Sequence, residues 1–360
     1  MIKQTTGVVL FNMGGPENLD AVEPFLVNVF SDRAIIELPL GRVVQPLFAR
    51  AIARARRASV RRNYAAIGGG SPQLALTRAQ AAALEERLNH GHNGDRLRFA
   101  VLTAFRYTRP SAGDAIHTMA DRGIRRVITL PLYPHYSRAT TGSSQADFNR
   151  ALAESRWRPH GFHITHLHSY ADDPLYLDAM ADRVRNAYEA MTPEGRRKGV
   201  ILFSAHGLPQ KFVDAGDPYV GHIEATRRGL VERLKLPNRQ MLAYQSRTGP
   251  VRWIGPGTEE TIEELAADGV KHLLVVPLSF VSDHIETLYE IDQLFGDLAR
   301  SRGIVEYCRP EALNTHPLFV ESLARQVERA AGVAGDQAHD ERRPPAALAG
   351  AAWGPGGDQA

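Results

Sequence analysis

The chain has 360 residues and 43% apolar content, enough to bury one or two hydrophobic cores. Its net charge of +3 at neutral pH is small for this length, so charge gives no sign of a nucleic-acid-binding protein. The single cysteine, Cys308, excludes an intrachain disulfide and a cluster held by about four thiolates. No apolar stretch approaches the roughly 20 residues of a membrane-spanning helix. The N-terminus also lacks a signal-peptide pattern, so we expect a cytoplasmic protein.

Predicted strands alternate with predicted helices along most of the chain. Apolar runs bounded by Gly or Pro predict strands at residues 7–12, 97–104, 126–131, 162–167, 199–204, 240–245 and 271–277. Helical patterns cover residues 77–88, 174–191, 223–234, 258–268 and about 315–331. This alternation is typical of an α/β fold with parallel sheets, because each helix returns the chain to the same edge of the sheet.

The sequence contains an internal repeat. Residues 7–16 resemble 199–209, residues 102–106 resemble 242–245, and residues 123–132 resemble 269–278. Three matches in one order predict two similar Rossmann-like lobes. We expect an N-terminal lobe of residues 1–170, a C-terminal lobe of residues 171–309, and a helix within 310–331 that packs back on the first lobe. The active-site cleft is expected between the lobes. Residues 332–360 show no periodicity and are expected to form a disordered tail.

One histidine stands at a strand end. His206 follows the apolar run at residues 200–203 and precedes Gly207 and Pro209, which interrupt the strand. In open α/β sheets, functional residues lie just past the carboxyl ends of the strands. His206 is therefore expected to belong to the functional site, although a lone histidine is more often structural.

A row of carboxylates follows the strand that ends at residue 277. If a helix begins at Ser282, then Asp283, Glu286 and Glu290 share one of its faces. A solvated acidic patch is the simplest interpretation of such a row. One imidazole beside one carboxylate is too sparse for a structural zinc site. It suits a divalent metal that is bound weakly and released, since coordination positions stay open.

A basic helix is predicted after Phe48. It carries six arginines among alanines: Arg50, Arg54, Arg56, Arg57, Arg61 and Arg62. A solvated basic face and a contact with anionic lipid are the two interpretations of this pattern.

Several motifs, in this order, resemble the ferrochelatase family, whose members insert ferrous iron into protoporphyrin IX in the last step of haem synthesis. The resemblance runs from about residue 7 to residue 327. Its motifs lie at residues 12–16, 67–72, 105–107, 133–137, 140–144, 203–209, 245–246, 249–250 with Trp253, and 282–288. The motifs at 67–72 and 105–107 resemble the branch that uses protoporphyrin rather than the branch that uses coproporphyrin.

The resemblance also implies roles for single residues. His206 and Glu286 would bind the iron, and His206 would also accept pyrrole protons. His284 would support the site by hydrogen bonding, and Glu290 and Asp283 would complete the catalytic group, with Glu290 continuing a carboxylate path. The residues implied to hold the porphyrin are Met13, Arg106, Tyr107, Tyr133, Gln245, Trp253 and Phe280. The helix that carries the carboxylates has a π-type widening in the family.

Partners follow from the same resemblance. Protoporphyrin IX and ferrous iron (Fe2+) are the implied substrates, and no nucleic acid is implied. Residues 38–48 resemble a hydrophobic lip, so peripheral membrane contact is expected through residues 38–62, at the inner face of the membrane. Arg138 stands where cluster-bearing members have a cysteine, and no [2Fe–2S] cluster is expected. The chain is expected to be a monomer or a weak dimer.

Two alternatives remain open from the sequence. A related chelatase would insert cobalt or nickel into another tetrapyrrole, and the sequence does not fix the metal preference. A two-lobed binding protein would hold haem or a metal ion without turnover.

Overall fold

A computed structural model describes residues 5–35, 41–90, 97–157, 161–247, 249 and 251–333. Its strands are β1 (Thr5–Asn12), β2 (Arg98–Phe105), β3 (Arg126–Pro131), β4 (His163–His166), β5 (Val200–His206), β6 (Gln240–Gln245), β7 (His272–Pro277) and β8 (Glu306–Cys308). The helices are α1 (Val22–Ser31), α2 (Gly41–Ala66), α3 (Gln73–Asn89), α4 (Ala112–Asp121), α5 (Ser143–Glu154), α6 (Pro174–Ala190), α7 (Pro193–Lys198), α8 (Gln210–Asp214), α9 (Tyr219–Leu234), α10 (Thr258–Ala267), α11 (Gly296–Ser301) and α12 (Pro317–Ala331). Two π-helical segments span Arg138–Gly142 and Glu286–Phe295, and a 3-10 turn spans Leu19–Ala21.

The strands form two parallel sheets with the same strand order. The first sheet is ordered β2–β1–β3–β4, and the second is ordered β6–β5–β7–β8. The predicted fold of two similar α/β units is therefore confirmed. Each predicted strand is present to within one residue or two at its ends. The short strand β8 was not predicted, because its three residues, Glu306–Cys308, form no apolar run.

Both faces of each sheet are buried. Along β1, Val8 and Leu10 join the core shared by the two sheets, whereas Val9 and Phe11 pack in a separate core on the other face. Successive residues of a strand point to opposite faces, so a strand covered on both sides is apolar throughout. The shared core also contains residues of α3, α6, α9 and α12.

The internal repeat is real, but its alignment shifts by one residue at the first strand. The sequence match pairs Phe11 with Phe203, yet Phe203 lies in the shared core and Phe11 in the opposite one. The backbone hydrogen bonds instead match Phe11 with Ser204. The Phe11 carbonyl accepts from Leu132, the first residue after β3, and the Ser204 carbonyl accepts from Leu278, the first residue after β7. Met13 is therefore the counterpart of His206. A one-residue slip is invisible in the sequence, since both faces of these strands are apolar.

Helix α12 brings the chain back to the first sheet. It packs against α3 and α6. Arg87 of α3 pairs with Glu321 at 2.5 Å and with Glu328 at 3.2 Å. Arg126 of β3 donates to the carbonyl of Ala331 at 2.8 Å. Helix α12 therefore contacts α3 of the first half and α6 of the second, and the lobe boundaries stay a prediction.

Helix α2 differs from its prediction. It begins at Gly41 rather than after Phe48, and it contains Pro46. The missing N–H of a proline costs a helix one backbone hydrogen bond, which does not prevent a long helix from continuing through it. Residues 38–40 of the predicted lip and residues 334–360 of the predicted tail lie outside the described residues. Within the described part, every helix is too short or too polar to cross a bilayer.

Candidate active site

Most of the predicted site residues lie at the carboxyl ends of six strands, three in each sheet. They follow or end their strands as follows: Met13 after β1, Arg106 and Tyr107 after β2, Tyr133 after β3, His206 at the end of β5, Gln245 at the end of β6, and Phe280 after β7. This is the edge of a parallel sheet where loops are free to form a binding site.

The centre of the site is a histidine–carboxylate pair. Nδ1 of His206 lies 2.7 Å from Oε2 of Glu286. The His206 side chain is 39% exposed and that of Glu286 is 19% exposed, so the pair is open to a bound molecule. With Nδ1 bound to the carboxylate, Nε2 is the ring nitrogen left for a ligand or a proton. No group of three or more candidate metal ligands occurs among the described residues.

The carboxylates lie on a π-helical segment, as the resemblance implied. The helix begins at Ile285 rather than at Ser282, so the expected start was wrong. Glu286 opens the π segment and Glu290 follows four residues later. In a π-helix the N–H of residue i+5 bonds the carbonyl of residue i, so each turn is wider than in an α-helix. Two residues that are four apart therefore lie side by side on its surface.

Asp283 lies outside that row, contrary to the predicted common face. Its carboxylate pairs with Arg309 at 3.1 Å and accepts from Asn314 Nδ2 at 3.2 Å. Arg309 also holds Asp292 of the π segment, with Nε–Oδ1 at 2.6 Å. Because the helix starts after it and Arg309 binds it, Asp283 fixes the loop before the segment.

Ser246 connects the two glutamates. Its hydroxyl lies 3.3 Å from Oε2 of Glu286 and 2.5 Å from Oε2 of Glu290. Its backbone N–H donates to Oε1 of Glu290 at 2.8 Å. Ser246 has a left-handed backbone with φ of 63°, a strained conformation for a residue other than glycine. Gln245 adds a bond from Nε2 to Glu290 at 3.2 Å, so both carboxylates are held in place.

Burial and neighbouring charges shift the pKa values of His206, Glu286 and Glu290 in different directions. Burial lowers the pKa of His206, but the carboxylates of Glu286 and Glu290 outweigh it, so the pKa lies above its usual 6.5. Burial raises the pKa of Glu286, but His206 outweighs it and the net direction is down. Burial and the charge of Glu286 both raise the pKa of Glu290. Glu290 therefore takes up a proton more readily than Glu286.

Aromatic rings border the pair. The ring of Phe280 lies 6.2 Å from that of His206 and 4.4 Å from that of His284. Burial lowers the pKa of His284, so its ring is neutral near pH 7. Trp253 lies against Gly207, where an added Cβ would come within 3.3 Å of its ring and 2.8 Å of the Gln245 carbonyl oxygen. Only glycine fits this close approach.

The first half contacts this group through α2. Tyr64 of α2 is almost fully buried, and burial together with the charge of Glu286 raises its pKa. Gln293 of the π segment donates to the carbonyl of Ala66 at 3.1 Å. The backbone of Met13 is fixed by its neighbours, since its N–H donates to Oδ1 of Asn12 at 2.8 Å.

A buried network that the sequence did not reveal surrounds Arg106. Oδ2 of Asp32 lies 2.9 Å from the Arg106 guanidinium, 2.7 Å from the Tyr107 hydroxyl and 2.5 Å from the Ser143 hydroxyl. Burial and Asp32 raise the pKa of Tyr107 well above 10.0. Tyr133 is half-buried, and burial raises the pKa of its hydroxyl too. Arg106 and Tyr107 are thus engaged by protein groups.

Known proteins resemble this chain over almost its whole described length. The model of the ferrochelatase family matches residues 5–331. Ferrochelatase of Geobacter metallireducens is 48% identical over 329 residues, covering 91% of this chain and 99% of the relative. Ferrochelatase of Geotalea uraniireducens is 48% identical over 326 residues, covering 91% and 98%. The solved structure of SirB from Bacillus subtilis with Fe3+ has a TM-score of 0.54 at 11% identity, covering 91% of this chain and 96% of SirB. That similarity concerns the fold.

Proposed function

This chain belongs to the ferrochelatase family and is a metal chelatase of haem biosynthesis, and we propose that it inserts ferrous iron into protoporphyrin IX at the His206–Glu286 pair. The observation that carries the proposal is the 2.7 Å contact between these side chains at the end of β5. It gives one open imidazole nitrogen, backed by a carboxylate, at the edge of the sheet where α/β proteins bind ligands.

Insertion requires the porphyrin to lose both pyrrole N–H protons while iron sheds its water. A planar free base hides its nitrogen lone pairs, so a pocket that bends the ring exposes them. We propose that Nε2 of His206 accepts the two pyrrole protons one after the other, and that Glu286 stabilises the imidazolium formed each time. Each proton then passes from this pair through the Ser246 hydroxyl to Glu290, whose raised pKa favours protonation, and from there to solvent, which leaves His206 neutral again.

The remaining site residues are proposed to hold the macrocycle. Met13, Phe280 and Trp253 offer the thioether and aromatic surfaces that a flat apolar ring prefers. Because Arg106 and Tyr107 are bound by Asp32, we propose that they shape the loop after β2, beside Tyr133. Gln245, His284 and Asp283 are proposed to fix the carboxylates and the π segment.

Anaerobic metallation tests this function and its substrate. Purified protein is mixed with ferrous iron and either protoporphyrin IX or coproporphyrin III, and the loss of free porphyrin absorbance is followed. We expect protoporphyrin to be metallated faster. Faster metallation of coproporphyrin would keep the reaction but contradict the substrate, and tight binding without turnover would favour the binding-protein alternative. Parallel assays with cobalt and nickel test the related chelatase.

The titration of His206 should depend on Glu286. In wild-type protein we expect its pKa to lie above 6.5, and in Glu286→Gln to fall, because burial then meets less opposing charge. The pKa is measured from the imidazole C2-proton signal, assigned by its loss in His206→Ala. Glu263→Gln, at an exposed ion pair with Arg302, serves as the control and should leave it unchanged. Equal pKa values of His206 in wild-type protein and Glu286→Gln would contradict an interaction between His206 and Glu286.

Membrane contact is proposed for the exposed side of α2. Leu47 is 66% exposed and Phe48 is 44% exposed, and the exposed arginines Arg50 and Arg54 follow them on the helix. Apolar side chains beside basic ones suit the surface of an anionic bilayer. Leu47→Ser with Phe48→Ser should weaken co-sedimentation with vesicles containing phosphatidylserine by roughly tenfold. Leu318→Ser, on α12, is the matched control. Unchanged co-sedimentation would contradict the contact.

A further inference from the structure

Two hydroxyl groups bracket the backbone of His206. The His206 N–H donates to Oγ of Ser279 at 2.9 Å, and the Tyr219 hydroxyl lies 2.9 Å from the His206 carbonyl oxygen. The two hydroxyl oxygens are 2.6 Å apart. Tyr219 opens α9 and Ser279 follows β7, so the three residues come from three different elements.

Tyr219 and Ser279 bind His206 just beyond the last backbone pair between β5 and β7. The last pair between β5 and β7 joins Ser204 to Pro277. Beyond that pair, side-chain hydroxyls rather than a backbone partner bind His206 on its β7 side. On the β6 side, the N–H of the following residue, Gly207, donates to the Gln245 carbonyl at 2.8 Å. The backbone at His206 is therefore held from both sides.

The direction of each hydrogen bond follows from the donors available. The His206 carbonyl can only accept, so the Tyr219 hydroxyl donates its single proton to it. The Ser279 hydroxyl then donates to Tyr219 and accepts the His206 N–H. Every donor and acceptor in this ring of bonds is satisfied, which favours a single arrangement.

Asp217 links Tyr219 to the first half of the chain. Its Oδ1 accepts the Tyr219 N–H at 3.1 Å. Its Oδ2 accepts the Ser137 hydroxyl at 3.0 Å and the Arg138 N–H at 2.8 Å. Ser137 belongs to the loop after β3 that also carries Tyr133. The backbone of His206 is thus connected to the loops of both sheets.

We propose that Tyr219 and Ser279 are positioning residues that hold the His206 imidazole in line with Glu286 and the reacting nitrogen. The proposal rests on the proposed role of His206. A general base must stay within hydrogen-bond reach of the proton that it abstracts, and a displacement of about 1 Å can cost about a hundredfold in rate. Neither hydroxyl touches the porphyrin in this scheme, so binding and turnover should separate.

The test compares Tyr219→Phe, Ser279→Ala and Ser279→Thr with wild-type protein. We expect kcat for iron insertion to fall at least about tenfold in Tyr219→Phe and Ser279→Ala, with the KM for protoporphyrin within about twofold. Ser279→Thr keeps the hydroxyl and should recover most of the rate. Tyr188→Phe, whose hydroxyl bonds the Arg196 carbonyl far from the site, controls for the loss of a phenol and should keep full kcat.

Each outcome decides the proposal. Unchanged kcat in Ser279→Ala would overturn it, as would a fall in Ser279→Thr as large as that in Ser279→Ala. A rise in KM without a change in kcat would instead assign these hydroxyls to porphyrin binding and overturn it too. If Tyr219→Phe does not fold, the two Ser279 variants decide alone. His206→Ala is measured in the same assay. Full activity of that variant would contradict the proposed role of His206 itself, on which the positioning role depends.

Discussion

Replacing His206 with alanine should lower the rate of iron insertion by about 10²–10⁴-fold, the range typical of a lost general acid or base. It removes the nitrogen proposed to accept the pyrrole proton and leaves Glu286 without its 2.7 Å partner. Porphyrin binding should persist, because the aromatic and thioether surfaces around the site are intact. The measurement pairs anaerobic turnover with quenching of protein fluorescence by protoporphyrin.

His117→Ala is the matched control for that variant. His117 is exposed on α4, where it faces Asp121 at 3.2 Å, so its loss should change neither turnover nor binding. Turnover of His206→Ala close to that of His117→Ala would contradict the proposed mechanism. Loss of porphyrin binding in His206→Ala would show that the histidine holds the ring, and the proton acceptor would have to be sought elsewhere.

The second large effect concerns stability. Asp32→Asn should lower the free energy of unfolding by about 3 kcal/mol, the lower end of the range for removing one partner of a buried ion pair. Asp32 is 7% exposed, and the variant leaves the Arg106 guanidinium without its close counter-charge. Asp147, at 3.7 Å from Arg106, compensates in part. Urea unfolding followed by circular dichroism gives the difference.

Asp121→Asn controls for the same change at an exposed position of α4, where we expect an effect below about 0.5 kcal/mol. Equal stability of Asp32→Asn and wild-type protein would mean that Arg106 does not depend on Asp32. If the folded fraction of Asp32→Asn also binds porphyrin more weakly than wild-type protein, the Asp32 network shapes the loop after β2.

The fold could be predicted because its signals are local. A strand covered on both faces is apolar throughout, and Gly or Pro marks its ends, so β1, β3, β5 and β7 stand out in the sequence. The repeat also predicted that the two sheets would be alike, and they share one strand order. The one-residue slip between Phe11 and Phe203 could not be predicted, since only the packing distinguishes the two faces.

The site could be predicted only where a motif carries it. His206 and Glu286 lie in motifs at strand ends, and the structure brings them together across 80 residues of sequence. Asp32 has no such signal, because its partners Tyr107 and Ser143 are 75 and 111 residues away. Asp283 was placed wrongly because a regular helix was assumed, whereas the helix starts at Ile285 with a π-type turn.

The corrected repeat places unlike residues at matching positions of the two halves. Met13 and His206 are counterparts, and so are Tyr133 and Ser279 in the loops after β3 and β7. A flat ring between the halves would meet a thioether that carries no proton on one side and a titratable imidazole on the other. A matched pair of imidazoles could grip the metal from both sides and keep it. Of these two counterparts only His206 can accept a proton, so the proposed mechanism would remove protons at one face and leave the metallated ring a single imidazole to dissociate from.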